Sequence, residues 1–242
     1  MAVSVNTVYR TVLLILNKEQ RGYITPDEFN KTATQVQLEI FNEYFESLNQ
    51  QIRVPDNDTE YSDRVKNLQQ KIAIFQTDGT CLPTAGGFSV PGILNIPAVT
   101  DFYKLGTVIY NDDKEIQYVQ PNELLELNLS PITKPSPYWP VYTFKDFIIK
   151  VYPTTITTGI TCTYIRKPAD PIWNFTLGAN QQYIYSPPTS TTNPSVDFEL
   201  HPTEQTNLIT RILLYSGIVI EDPQIVQIAA QQAQANNINS KS

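Results

Sequence analysis

The stretch Asn17-Lys18-Glu19-Gln20-Arg21-Gly22-Tyr23-Ile24-Thr25-Pro26-Asp27-Glu28, followed by Phe29, has the spacing of a calcium-binding helix–loop–helix. Gly22 falls at the sharp-turn position, Ile24 lies two residues later, and Glu28 stands where the bidentate carboxylate would be. The chemistry fails at the fifth position, where Arg21 sets a cation against the metal. Asn17 and Glu19 also leave the loop short of negative charge. The same residues read more simply as punctuation. Gly22 ends one helix, Thr25 caps the next, Pro26 fills its first position, and Glu28 closes a capping box. No metal is expected.

Other chemistry-bearing residues are sparse. The chain holds a single His, His201, before Pro202 at a helix start, where it packs at the helix end rather than serving as a base. Cys81 and Cys162 form no CxxC and cannot build a structural zinc site; free thiols are expected unless the fold brings them together. Asp112, Asp113 and Glu115 fall in a hairpin turn, and Asp56, Asp58, Glu60 and Asp63 in a polar loop. Carboxylates in turns stay solvated and ionised, unlike the buried acid of a glycosidase. Gly86-Gly87 is followed by Phe88, with no phosphate-loop lysine. Tyr138-Trp139 and Trp173 have the rings to stack on a sugar, but each lies beside proline, which favours packed corners. These residues point to no enzyme and no cofactor.

Composition narrows the classes further. Across 242 residues, 17 Lys and Arg stand against 24 Asp and Glu, a net charge of -7, which argues against a protein that grips nucleic acid through a basic face. No signal peptide is evident in the Ala2–Ile15 run, which Tyr9, Arg10 and Thr11 interrupt. No apolar run is long enough to span a bilayer, so no membrane partner is expected.

The elements that must position these residues change character twice. Residues 1–72 are almost free of Pro and Gly, with apolar side chains at helical spacing; 73–200 are punctuated by Pro and rich in Thr, Tyr, Val and Ile; 201–242 return to helix and end in a Gln/Asn tail. The first helix is expected from Asn6 to Gln20, through Val8, Val12, Ile15 and Leu16. The second starts at Thr25-Pro26 and carries the stripe Phe29, Ala33, Val36, Ile40, Tyr44, Leu48, widened by Phe41 and Phe45. A weaker third helix covers Tyr61–Leu68. Strands are expected at Lys71–Gln76, Gly106–Tyr110, Glu115–Val119, Val141–Phe144, Phe147–Tyr152 and Ile160–Arg166. Ser130–Pro140, with four prolines, reads as a rigid extended connection, and Ser186–Ser195 as an exposed loop. A helix from Thr203 to Ser216 is broken by Gly217, Ile218-Val219-Ile220 is a short extended or turn segment, and a last helix spans Gln224–Ala235. The fold class is α+β: an N-terminal helical hairpin or bundle, a central antiparallel β-sandwich or barrel, and C-terminal helices packing back on the helical part.

Leu16 through Asn30, with Tyr164-Ile165-Arg166-Lys167-Pro168, Pro171, Trp173, Glu204-Gln205-Thr206-Asn207 and Asp222-Pro223, resembles stretches of virion proteins of short-tailed, crAss-like phages. The resemblance implies a head–tail connector or tail ring protein. It implies a homo-oligomeric ring, a dodecamer matching the portal, in contact with the portal and other tail proteins. Genomic DNA would pass through the lumen without sequence-specific binding. It places the chain in the virion, after assembly in the host cytoplasm, and brings no catalytic residues.

The residues suit that role. A wide apolar stripe has more to bury than one partner helix covers, which makes Phe29, Ile40, Phe41, Tyr44, Phe45 and Leu48 candidate subunit contacts, with Ile225 and Ile228 on the last helix. An acidic balance permits a lumen that repels phosphate. The alternative is a receptor- or glycan-binding β-module with a helical anchor, resting on Tyr138, Trp139 and Trp173.

Overall fold

Thr25 and Glu28 fix the start of the longest helix as their spacing predicts. The Thr25 amide and hydroxyl donate to Glu28 Oε2 at 2.9 and 2.7 Å, and the Glu28 amide donates to Thr25 Oγ1 at 3.4 Å. The computed structural model describes residues 2–18, 23–53, 59–91 and 101–219, with Gln231 and Gln234. The fold is α+β, in two compact units: one is Phe75–Lys167, and the other joins Met1–Ile74 to Pro168–Ser242.

The helical unit packs α1 (Val5–Lys18), α2 (Pro26–Arg53), α3 (Thr59–Ala73) and α5 (Gln205–Val219), the last preceded by a 3-10 turn at Pro202–Glu204. Its core takes Val8, Val12 and Leu16 from α1, Phe29, Val36, Ile40 and Phe41 from α2, and Leu208 and Ile212 from α5. These side chains repeat at three and four residues, so each helix turns one apolar face inward. Two ion pairs tie the helices together: Arg211 to Glu43 and Lys71 to Glu204, both at 2.6 Å. Distant chain segments complete the unit. The Val5 amide, free at the start of α1, donates to Asp197 Oδ1 at 2.9 Å, and Val3 bridges to Phe198. Gln37, buried on α2, donates to the Ala169 carbonyl at 2.7 Å and accepts from the Glu199 amide at 3.1 Å.

The β unit is one sheet of β1 (Gln76–Thr80), β2 (Leu82–Thr84), β3 (Gly87–Ser89), β4 (Phe102–Tyr110), β5 (Lys114–Tyr118), β6 (Val141–Lys145), β7 (Ile148–Tyr152) and β8 (Ile160–Arg166), with helix α4 (Pro121–Leu129) between β5 and β6. The strand order is β1-β8-β4-β5-β6-β7-β3-β2. Only Cys81 separates β1 from β2, so the two edges of the sheet are halves of one chain run. The sheet is therefore nearly closed and barrel-like. The strand expected at Ile160–Arg166 forms β8 and alternates: Ile160, Cys162 and Tyr164 are buried in a core with Phe88, Val90, Val108, Ile116, Tyr142 and Ile149. A hairpin turns at Asp146-Phe147, both at positive φ, the geometry that matches strand twist in two-residue loops. A small separate pair, β9 (Phe175–Leu177) with β10 (Tyr183–Tyr185), belongs to the helical unit.

Several expectations are corrected. Lys71–Ala73 finish α3 rather than begin a strand, because Lys71 reaches Glu204 and Ile72 is buried on the helix. Gly217 does not break the last described helix, and Ile218-Val219 are helical too. A glycine costs only about 1 kcal/mol in a helix interior, and Gly217 is buried there. The sheet is not purely antiparallel, since β5 pairs with β6 in parallel through Gln117–Val141 and Tyr118–Tyr142. A parallel pair needs a crossover, and the unforeseen α4 supplies it. Pro121 at its first position and a Gln120 amide held by Glu123 at 3.0 Å mark its start. Ser130–Pro140 forms turns instead of an extended rod. Residues 168–200, expected with the β region, lie with the helices, where Ala169 and Glu199 bind Gln37. Ser186 and Ser195 are buried at the ends of the otherwise exposed loop. Glu19–Gly22 and most of Gln224–Ala235 lie outside the described residues.

Candidate functional site

The crossover from β5 to β6 builds the most conspicuous surface of the β unit. After α4, the Lys134 amide donates to the Ser130 carbonyl at 3.1 Å. Ser136 and Trp139 then exchange main-chain hydrogen bonds at 3.3 and 3.0 Å, closing a tight turn. Pro135 and Pro140 are buried at its two ends, while Pro137, Tyr138 and Trp139 face solvent. Trp139 is 80% exposed and Tyr138 76%.

Beside this turn lies a groove of about 890 Å³, bounded by Gly106–Val108 of β4, Lys114–Tyr118 of β5 and Tyr138–Tyr142. Val108, Ile116 and Tyr142 are buried members of the core, and Glu115, Gln117 and Tyr118 are exposed. The Lys114 ammonium sits 5.1 Å from the Tyr138 ring centroid, a cation–π contact that steadies the ring. The Tyr118 and Tyr142 rings meet at 5.6 Å. Burial, then the neighbouring Tyr118, pushes the Tyr142 phenol above its ordinary value, so it keeps its proton at neutral pH. The groove thus offers aromatic faces beside a cation, a carboxylate and an amide.

The apolar character extends back along the crossover. Leu125 and Leu129 on α4 are exposed, and Ile132 in the following turn is 93% exposed. With Tyr138 and Trp139 they make five large apolar side chains in water within the stretch 125–139. A single side chain of this kind is ordinary on a surface; five of them stand in water within this one connection.

The contacts anticipated from sequence fall elsewhere. Phe29, Ile40, Phe41 and Tyr44 are buried inside the helical unit, so they offer nothing to a neighbouring subunit. The stripe is wide because other helices cover it: Tyr9 of α1 meets Phe29, Lys71 of α3 lies over the Tyr44 ring, and α5 packs along α2. Phe45 and Leu48 are half-buried, Phe45 packing edge-on to Phe41 at 5.0 Å. Ile225 and Ile228 lie outside the described residues.

The other candidates separate cleanly. Trp173 is 5% exposed and is no sugar platform. Its ring lies tilted against Tyr9 at 4.3 Å, its indole donates to Asn6 Oδ1 at 3.2 Å, and Asn30 brackets its main chain. His201 caps the 3-10 turn, its Nδ1 2.9 Å from Thr203 Oγ1. Asp112 and Asp113 are exposed in their turn, with Thr161 Oγ1 donating to Asp112 at 3.1 Å. Asp56 and Asp58 lie outside the described residues, and Glu60 and Asp63 lie in α3. The Glu28 carboxylate is occupied by Thr25. Cys81 and Cys162, free and buried, are brought to 3.3 Å between their sulfurs.

Among the described residues, no three His, Cys, Asp or Glu side chains gather as a metal site, and no helix is long and apolar enough to cross a membrane. In comparisons with known proteins, no family model and no curated protein matches the chain.

Proposed function

We propose that this chain is a structural virion subunit that assembles with copies of itself into a ring, a dodecamer, at the head–tail connector or tail of a short-tailed phage. The observation that carries the reading is the exposed apolar stretch Leu125–Trp139, which a free monomer has no reason to hold in water. Its side chains lie on a short helix and a turn held by main-chain hydrogen bonds, so they are ordered before they are covered, and association costs little additional entropy. The resemblance to crAss-like phage proteins supplies the kind of assembly. The portal and other tail proteins are then neighbours above and below, and an acidic chain suits a channel through which DNA slides without being gripped. Mass photometry and cryo-EM of the purified chain, alone and with portal, test this. A closed ring about a central axis is expected. A chain that stays monomeric in both conditions, and a particle showing it only as an isolated copy, would refute it.

A second reading, a glycan-binding module, is favoured by one observation: Tyr138 and Trp139 stand exposed beside a groove that also presents Lys114, Glu115 and Gln117. It requires saccharide binding on a glycan array that is lost in Trp139→Ala, with the protein monomeric throughout.

A further inference from the structure

Neither reading uses the two thiols at the seam of the sheet. Cys81 is the one residue between β1 and β2, at the corner where the sheet meets itself. Its amide donates to the Ile160 carbonyl at 2.9 Å, which carries the β1–β8 ladder up to the corner. Cys162 lies in the middle of β8. The residues are 81 positions apart, yet their sulfurs are 3.3 Å from one another, both free, at 3% and 1% exposure. Buried cysteines often serve as small apolar fillers, but that role sets no requirement that two sulfurs face each other. A disulfide bond is about 2.05 Å long, so the sulfurs need to close by roughly 1.3 Å.

We propose that Cys81 and Cys162 form a convertible dithiol, reduced in a reducing cell and closed by peroxide to an intramolecular disulfide that staples the seam of the sheet to β8. The geometry brings either sulfur within reach of the other, and the electrostatics of the pair favour Cys81 as the attacking one. The Cys162 thiol hydrogen-bonds the Cys81 thiolate and favours it, whereas burial and that same neighbour hold Cys162 protonated. The Cys81 thiolate attacks one peroxide oxygen, forming an S–O bond as the O–O bond breaks, and the departing hydroxide takes up the proton that the Cys81 thiol released on ionising and leaves as water. Cys162 sulfur then attacks Cys81 sulfur. The S–S bond forms, the S–O bond breaks, and the hydroxyl leaves as water with the Cys162 proton. Two electrons pass from the sulfurs to peroxide, and two waters are released. A protein assembled inside a cell and then released from it meets both redox conditions.

The full chain is treated with dilute hydrogen peroxide, denatured, alkylated and weighed intact. The expected product is lighter by two hydrogens, takes up no alkylating agent, and gives a Cys81–Cys162 linked peptide in a non-reducing digest. It also melts at a higher temperature than the reduced form, and dithiothreitol reverses every change. Cys162→Ala is expected to gain oxygen on Cys81 without forming an intramolecular link. Recovery of two alkylatable thiols, oxygen adducts without a cross-link in the unsubstituted chain, or linkage only between separate chains would each overturn the proposal. Oligomeric state does not enter these readouts, so the dithiol and the ring stand or fall separately.

Discussion

Trp139→Ala separates folding from assembly. At 80% exposure the ring contributes almost nothing to the β unit, and the turn beneath it is closed by main-chain bonds that alanine retains. The change in folding stability should stay within about 0.5 kcal/mol, a melting shift of no more than roughly 2–4 °C for a unit of this size. An interface that covers the ring gains much more. A tryptophan buries roughly 150–250 Å². At about 25 cal/mol/Å² the portion now in water is worth roughly 3–5 kcal/mol. After ordering and imperfect pairing, about 2–4 kcal/mol per contact remains, the range of an interface hot spot, or roughly 30- to 1,000-fold in dissociation constant. Mass photometry over a concentration series, beside thermal melting, reads both quantities. Two results refute the reasoning: a variant that assembles like the unsubstituted chain while melting normally, or one that loses more than about 2 kcal/mol of folding stability. The first shows that the turn is not covered; the second shows that it is packed.

Three further outcomes follow from the packing. Gln37→Met keeps the volume but deprives the Ala169 carbonyl and the Glu199 amide of their partner, and should cost about 1–3 kcal/mol by chemical denaturation. Gly87 has φ of +144°, and a Cβ there would lie 2.6 Å from the Ile149 carbonyl oxygen, so Gly87→Ala should destabilise the β3–β7 seam by about 2 kcal/mol or more and leave the helical unit's exchange protection unchanged. Thr25→Ala should cost about 1 kcal/mol at neutral pH. The Glu28 carboxyl is held below its ordinary value by hydrogen bonds from Thr25, so this contribution is present above the unfolded-state pKa and lost as pH falls through the lower folded-state value. The gap in melting temperature between Thr25→Ala and the unsubstituted chain should therefore shrink in acid.

Local chemistry was legible wherever the determinant lies within a few residues. The Thr25–Glu28 cap, the stripe of α2 and the alternation of β8 follow from side-chain spacing acting on neighbouring backbone, and the hairpin expected at Lys145-Asp146 turns one residue later, at Asp146-Phe147. Sequence also identified Tyr138-Trp139 and the two cysteines as residues to weigh, and the α+β class as a whole.

Tertiary structure decided where those residues face. The α2 stripe reads identically whether a second subunit or the chain's own distant segments cover it, and only the packing of α1, α3 and α5 against α2 settles that the cover is internal. Trp139 and Trp173 both neighbour proline; one is in solvent because the crossover turn projects it, the other is buried because Asn6 and Tyr9 of α1 and Asn30 of α2 converge on it. The sulfurs of Cys81 and Cys162 meet because β1 pairs antiparallel with β8 across more than eighty residues, and the Cys81 amide extends that ladder to Ile160. Hydrophobic spacing dictates that a face must be buried, but not by what, and contacts across more than a hundred residues depend on how the whole chain closes.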